Sequence, residues 1–437
     1  MKKIILLVVA VGFLSSGKPQ AADNWPHWRG PLANGFVPGG DPPVKWDEKT
    51  NVRWRTPIPG KGSSTPIVWG ERIFVLTAID TGREAAAADL PRPDPGFERI
   101  PRAPTTYYQF IILCLDRNSG QVLWKQVATE QVPHEGHHPT HSYAAYSPTT
   151  DGQRLYASFG SRGVYCYDFD GKLLWKRNLG RMNTRLGWGE GASPVIHGDT
   201  LVLNWDQEKN SFIIALDAKT GQTRWKVDRD EATTWATPLV AEHKGRTQVI
   251  TMGTKLVRSY DLATGELIWQ CGGHTVNCIP SPLRYRDTVI CVSGYKGHYA
   301  CAVPLDAKGD VTGKVLWEHK QGTPYVPSPV LAGERLYFTQ FNMPVLTCLD
   351  AQTGKPLIDR QRLPGLETLY ASPVCAGGRL YFCDREGNTL VLKQSDRVEV
   401  LALNRLGEAI DASPVVLGKQ LLLRGEKHLY CIRVPSR

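Results

Sequence analysis

Residues 193–227 read SPVIHGDTLVLNWDQEKNSFIIALDAKTGQTRWKV, and they contain the fold in miniature. Apolar and β-branched residues alternate through SPVIHG, DTLVLNWDQ and SFIIALD, each run ends in a turn signal, and no helical period survives. KTGQTRWKV adds a fourth strand behind a tight turn, in which Asp217 can accept backbone N–H groups two residues on and Gly221 supplies the positive φ of a hairpin. Four short strands without a helix cannot cover both of their own faces. Such a unit must stack against copies of itself.

The copies are present. The Ser-Pro or Thr-Pro that opens this stretch returns before an apolar strand at Thr65-Pro66, Ser147-Pro148, Thr237-Pro238, Ser281-Pro282, Ser328-Pro329, Ser372-Pro373 and Ser413-Pro414. From Pro148 onward, successive prolines stand 46, 44, 44, 47, 44 and 41 residues apart, the period of a four-stranded propeller blade. The last turn of the unit recurs as CLDRNSGQVLW (114–124), CYDFDGKLLW (166–175) and SYDLATGELIW (259–269). Trp124, Trp175, Trp225, Trp269 and Trp317 thus hold equivalent outer-strand positions. A tryptophan wedged between neighbouring blades buries roughly 150–250 Å². The eighth copy ends after three strands, and NVRWR (51–55), ahead of the first copy, can supply the fourth with Trp54 as its docking tryptophan. The expected fold is all-β: an eight-bladed β-propeller of four-stranded antiparallel blades over residues 51–437, its ring closed by an N-terminal strand within 51–58.

Upstream, Lys2-Lys3 and the apolar run Ile4 to Leu14 read as a signal peptide over 1–22, too short to span a bilayer as a helix. No cysteine lies near its end, so a lipid anchor has no candidate, and a periplasmic or secreted monomer without a transmembrane segment is expected. Residues 23–50 form a strap, whose NWPHWRGP (24–31) is expected to pack Trp25 and Trp28 on the propeller side. The net charge of +10 is scattered without a basic block. That pattern disfavours nucleic acid and leaves an envelope protein or a polysaccharide as the partner class. Cys114, Cys166, Cys348 and Cys431 recur at one strand position that Ala215 fills in the third repeat, which marks a small apolar niche suited to free thiols. Cys271 and Cys278 are the pair best spaced for a disulfide.

Two excursions break the period: the insertion from Asp80 to Thr106, and the approach to blade two with His134, His137, His138 and His141. Both are expected over one channel mouth, where a rigid scaffold positions functional loops. His134-Glu135-Gly136-His137-His138 matches H-E-x-x-H, but Pro133, Gly136 and Pro139 forbid the helix that motif requires, so any metal site here is loop-built. GWGEGA (187–192) imitates a dinucleotide fingerprint yet leads into a strand. The position two ahead of each Ser or Thr should ring the channel: Ser63, Ala145, Gly191, Trp235, Ile279, Val326, Tyr370 and Asp411. Glu190, Trp235, Tyr370 and Asp411 are the candidates for holding a ligand at that rim.

The repeated wording A-x-D-x-x-T-G-x-x-x-W, as in ALDAKTGQTRW (215–225), resembles the pyrroloquinoline-quinone-type propeller repeat over nearly the whole mature chain. The NWPHWRGP segment is similar to the opening of exported quinoprotein-like propellers of planctomycete type. The resemblance implies a quinone stacked on a tryptophan, for which Trp235 is the candidate, with calcium held by acidic and amide side chains. The chain has no adjacent cysteines, no C-x-x-C-H haem site and no alignable calcium set, so no cofactor site is recognised. Three functions stay open: a non-catalytic envelope scaffold resembling the outer-membrane β-barrel assembly lipoprotein, a quinone-dependent dehydrogenase, and a metal-dependent or carbohydrate-binding protein using the His134–His141 loop.

Overall fold

Eight four-stranded antiparallel sheets stand around a common axis in the computed structural model, which describes residues 24–97 and 103–435. The leader expected at 1–22 lies outside the described residues. Blade three, the stretch read first, comprises Val195–His197, Thr200–Trp205, Ser211–Asp217 and Thr223–Arg229 from the axis outward. Blade eight comprises Val415–Leu417, Gln420–Arg424 and His428–Ile432, and its outer strand is Val52–Pro57, with Trp54 opposite Cys431. Joining the first strand of the ring to the last leaves no open end for another chain to pair with. The described residues contain no helix long and apolar enough to cross a membrane.

The strand register explains both the tryptophans and the cysteines. Trp124 sits across from Cys114, Trp175 from Cys166, Trp225 from Ala215, Trp269 from Ser259 and Trp317 from Ala302. A small residue on the third strand therefore makes room for the indole on the fourth. The indole then leans on the next blade, where Trp54, Trp124, Trp175, Trp225 and Trp317 donate Nε1–H to the carbonyls of Arg117, Phe169, Ala218, Leu262 and Ala351 at 2.8–3.1 Å. The turn glycine of that blade lies under the ring: a Cβ on Gly221 would stand 2.8 Å from Trp175. All ten cysteines are free and buried, in keeping with small apolar niches, and the best-spaced pair, Cys271 and Cys278, is not bridged. Cys271 Sγ donates instead to Gly272 O at 3.5 Å.

Trp269 departs from the series. It is fully buried and donates to Gln248 Oε1 of its own blade at 3.2 Å. Blade five has no matching turn, and its strand Gly309–Asp310 pairs in parallel with Leu267–Cys271, binding blades four and five by backbone hydrogen bonds.

Candidate functional site

The Ser-Pro and Thr-Pro series has a structural cause. Seven of the eight Ser or Thr hydroxyls accept the backbone N–H of their counterpart in the preceding blade: Thr65 to Ser147, Ser147 to Ser193, Ser193 to Thr237, Ser281 to Ser328, Ser328 to Ser372, Ser372 to Ser413 and Ser413 to Thr65, all at 2.9–3.1 Å. These bonds form a belt round the axis. A buried N–H must find an acceptor, and a short hydroxyl is the one side chain that reaches it here without filling the bore. The missing link is Thr237 to Ser281, whose Oγ is buried without a partner. That gap is the same junction at which the blades exchange a strand.

The strap runs across the bore beneath this belt. Trp25 exchanges backbone hydrogen bonds with Val68 of blade one, and Pro26 O accepts from Thr150 N of blade two at 3.0 Å. Arg29, three residues on, donates from Nη1 to Pro373 O at 3.0 Å and from Nη2 to Pro329 O at 2.6 Å, in blades seven and six. Blades two and six face each other in a ring of eight, so the chain spans the diameter. Phe36–Val37 then adds a parallel strand to the inner edge of blade seven, at Cys375–Ala376. The expectation of a strap on the propeller side is thereby corrected: free inner-strand edges offer unpaired backbone groups, and the strap satisfies them. Arg29 is 1% exposed, and burial pulls its guanidinium down to about 9.

Above the strap lies a cup of about 470 Å³. All eight rim positions line it, with Trp28 contributing from the strap. Trp235 comes from blade four and Tyr370 from blade seven, and Asp411 is the one carboxylate in the lining. Burial raises the Asp411 carboxyl against the opposing pull of Arg385, whose Nε donates to Oδ1 at 2.9 Å. The Arg385 guanidinium also lies 4.7 Å above the Tyr370 ring. Tyr370 OH accepts from Thr140 Oγ1 at 3.1 Å, and Thr140 Oγ1 lies 2.7 Å from His138 Nδ1. Burial lowers both His138 and His141, the latter to about 4, so the imidazoles beside the cup are neutral at pH 7.

Glu190 is not at this rim. Its carboxylate turns outward between blades, where Ser161 N and Oγ donate to it at 2.7 and 2.5 Å and Tyr146 OH at 3.3 Å. There it meets His134 and Glu135, the one group of three or more potential metal-ligating side chains among the described residues, with donor atoms within 4.8 Å of one another. Burial and the neighbouring Glu190 push Glu135 up to about 8, while burial and Arg162 pull His134 down to about 3. The Arg162 guanidinium bonds His134 Nδ1, and Thr184 donates twice to Glu135. Arg162 already supplies the positive charge that a cation would bring. Segment 134–141 is a loop, and it gives the other histidines different partners: His137 packs edge-on against Tyr143 at 4.6 Å, His138 lies edge-on to Trp188, and His141 bonds Glu190 O. The insertion reaches the same face, where Asn183 Nδ2 donates to Asp94 Oδ2 at 2.7 Å.

The rim positions omit much of the cup. Trp188 stacks near Trp235 with centroids 6.4 Å apart, and Tyr295, Tyr325 and Phe341 form a second aromatic group. These come from irregular loops outside the repeat; the Gly-rich surroundings of Trp188 are the only sequence signal among them. The cup does not fit the calcium-bound quinone implied by the repeat. Pyrroloquinoline quinone carries three carboxylates, whereas the sole lining acid is tied to Arg385 and the lining amide Asn342 uses Oδ1 to accept Val326 N–H.

A family model described as outer membrane protein assembly factor BamB matches residues 109–357. BamB from Moraxella catarrhalis has a similar structure at 14% identity and TM-score 0.53, with 83% of this chain aligned to 99% of that one. The quinohemoprotein alcohol dehydrogenase of Comamonas testosteroni is similar at 9% identity and TM-score 0.62, over 95% of this chain and 81% of its own. A computationally designed protein, Ika8, is similar at 11% identity and TM-score 0.51, over 79% and 99%. At these identities the likeness is one of fold. No curated protein matches the sequence.

Proposed function

Since the chain belongs to the outer membrane protein assembly factor BamB family, whose model spans more than half of it, we propose that it is a non-catalytic binding protein of the cell envelope that receives its partner in the strap-floored cup. The observation that carries this reading is the cup itself: a concave cavity on a rigid ring, into which seven Trp, Tyr and Phe side chains are gathered. Its polar groups are engaged with one another, Asp411 with Arg385 and Tyr370 with Thr140. Such a surface offers shape and stacking rather than a poised acid, base or nucleophile. The partner class is an envelope protein or glycan.

A photo-crosslinking residue at Asn342, in the cup, and another at Lys172, on an exposed outer turn, test the reading in cells. An adduct formed through position 342 and missing at 172 supports it. Equal labelling at both, or none at 342, contradicts it. Mixing the purified protein with calcium and pyrroloquinoline quinone separates the dehydrogenase alternative. The binding reading expects no quinone absorbance to survive gel filtration, and retained quinone that oxidises an alcohol with an artificial acceptor would overturn it.

A further inference from the structure

We propose that the cup is a site for a neutral oligosaccharide, an inference that rests on the binding reading above and names its ligand class. The walls are built for stacking. Trp188 and Trp235 lie 28° from parallel, and Tyr325 stands 4.6 Å from Tyr295 and 5.1 Å from Phe341 at 33° and 23°. Phe341 is held at φ 51°, a left-handed backbone that is costly for a bulky residue, so the fold sustains strain to keep that ring in place. A pyranose shows a face of C–H bonds that settles on the electron-rich face of an aromatic ring, while its edge is a row of hydroxyls. A single platform would suit many ligands. Several platforms around one cavity suit a chain of rings.

The edge chemistry agrees. Asp411 lines the cup with Oδ1 occupied by Arg385, and Oδ2 has no partner among the described residues, so the carboxylate can still accept from a hydroxyl. His138 Nε2 and Asn342 Nδ2, on lining residues whose other polar atoms are engaged, add groups that take no part in the bonds above. The lining's one negative charge is balanced by Arg385, and its imidazoles are neutral. A neutral polyol is therefore matched without leaving a charge unpaired.

A peptide fits less well. An extended peptide binds by adding a strand to a free edge, and the inner edges of blades one, two, six and seven are already taken. The strap takes them at Val68, Thr150, Leu331 and Cys375, and the hydroxyl belt takes the N–H groups above. The strap also closes the far end at Trp28, so a glycan would enter by its terminus.

Titration with neutral di- to hexasaccharides of the cello-, malto-, xylo-, manno- and β-1,3-gluco- series, followed by tryptophan fluorescence and by saturation transfer from aromatic protons to sugar C–H protons, tests the proposal. At least one series should quench the fluorescence and receive saturation. Trp235→Ala should weaken binding about tenfold or more. Asp411→Asn and Tyr370→Phe, which preserve shape, keep the test valid should Trp235→Ala fail to fold; Asp411→Asn should also weaken binding, and Glu318→Gln, away from the cup, should not. Silence across the panel, or equal affinities for wild type and the cup variants, would overturn the proposal. If the panel is silent while Asn342 still crosslinks an envelope protein, the saccharide falls and the binding reading stands; if both are silent, both fall.

Discussion

Replacing Ser328 by alanine removes the acceptor for the Ser281 backbone N–H, 3.0 Å away, between residues that are 1% and 5% exposed and lie outside the cup lining. Water cannot substitute at so buried a point. The loss is the desolvation penalty of an unpaired amide, about 1–3 kcal/mol, rather than the smaller net value of a bond exchanged with water. Ser281→Ala is the matched control. It deletes the same atom at the equivalent place in the next blade back, but that hydroxyl is buried without a partner, so its removal should be neutral or mildly stabilising. Urea or thermal denaturation of the two variants, followed by tryptophan fluorescence, reads the difference directly. The belt predicts Ser328→Ala, together with Ser193→Ala and Ser372→Ala, below wild type, and Ser281→Ala at or above it. Equal destabilisation by Ser281→Ala and Ser328→Ala would show that the hydroxyls act through packing, and the explanation of the Ser-Pro series would fail.

Other consequences follow from the same geometry. Gly221→Ala places a methyl 2.8 Å from Trp175 at φ 71° and should destabilise far more than Gly180→Ala at φ 100°, where no atom lies within 4 Å; differential scanning fluorimetry ranks the two. Glu135 has its folded pKa raised from 4.5 to about 8, so the folded state binds the extra proton and stability falls as pH rises from about 4.5 to about 8. Glu135→Gln should flatten that limb in denaturation curves at successive pH values, and an unchanged slope would exclude Glu135 as its source. Arg29→Ala removes the two side-chain bonds from the strap to Pro329 and Pro373 in blades six and seven, and limited proteolysis should then cut within residues 24–40 faster than in wild type.

The ring was legible in the sequence because it is periodic. One Ser or Thr per blade reports one belt position, and one Trp facing Cys or Ala reports one blade junction, so local spacing carries global geometry. The route of the strap across the bore was not legible, since WPHWRG has no period and Arg29 is held by carbonyls 300 and 344 residues away. Trp235, Tyr370 and Asp411 could be placed at the cup by counting from the prolines. Glu190, one residue from a rim position, was drawn outward by Ser161 and Tyr146, hydrogen bonds that no pattern announces. The Trp188, Tyr295 and Phe341 walls come from loops whose conformation is set by tertiary contacts.

Hydrogen-exchange mass spectrometry, with and without a solubilised envelope fraction, tests the central claim most directly. Protection is predicted in the cup-lining segments around 138–145, 188–191, 323–326, 340–342 and 370, with the outer strands unchanged. Protection confined to the outer strands, with the cup exchanging as before, would contradict it.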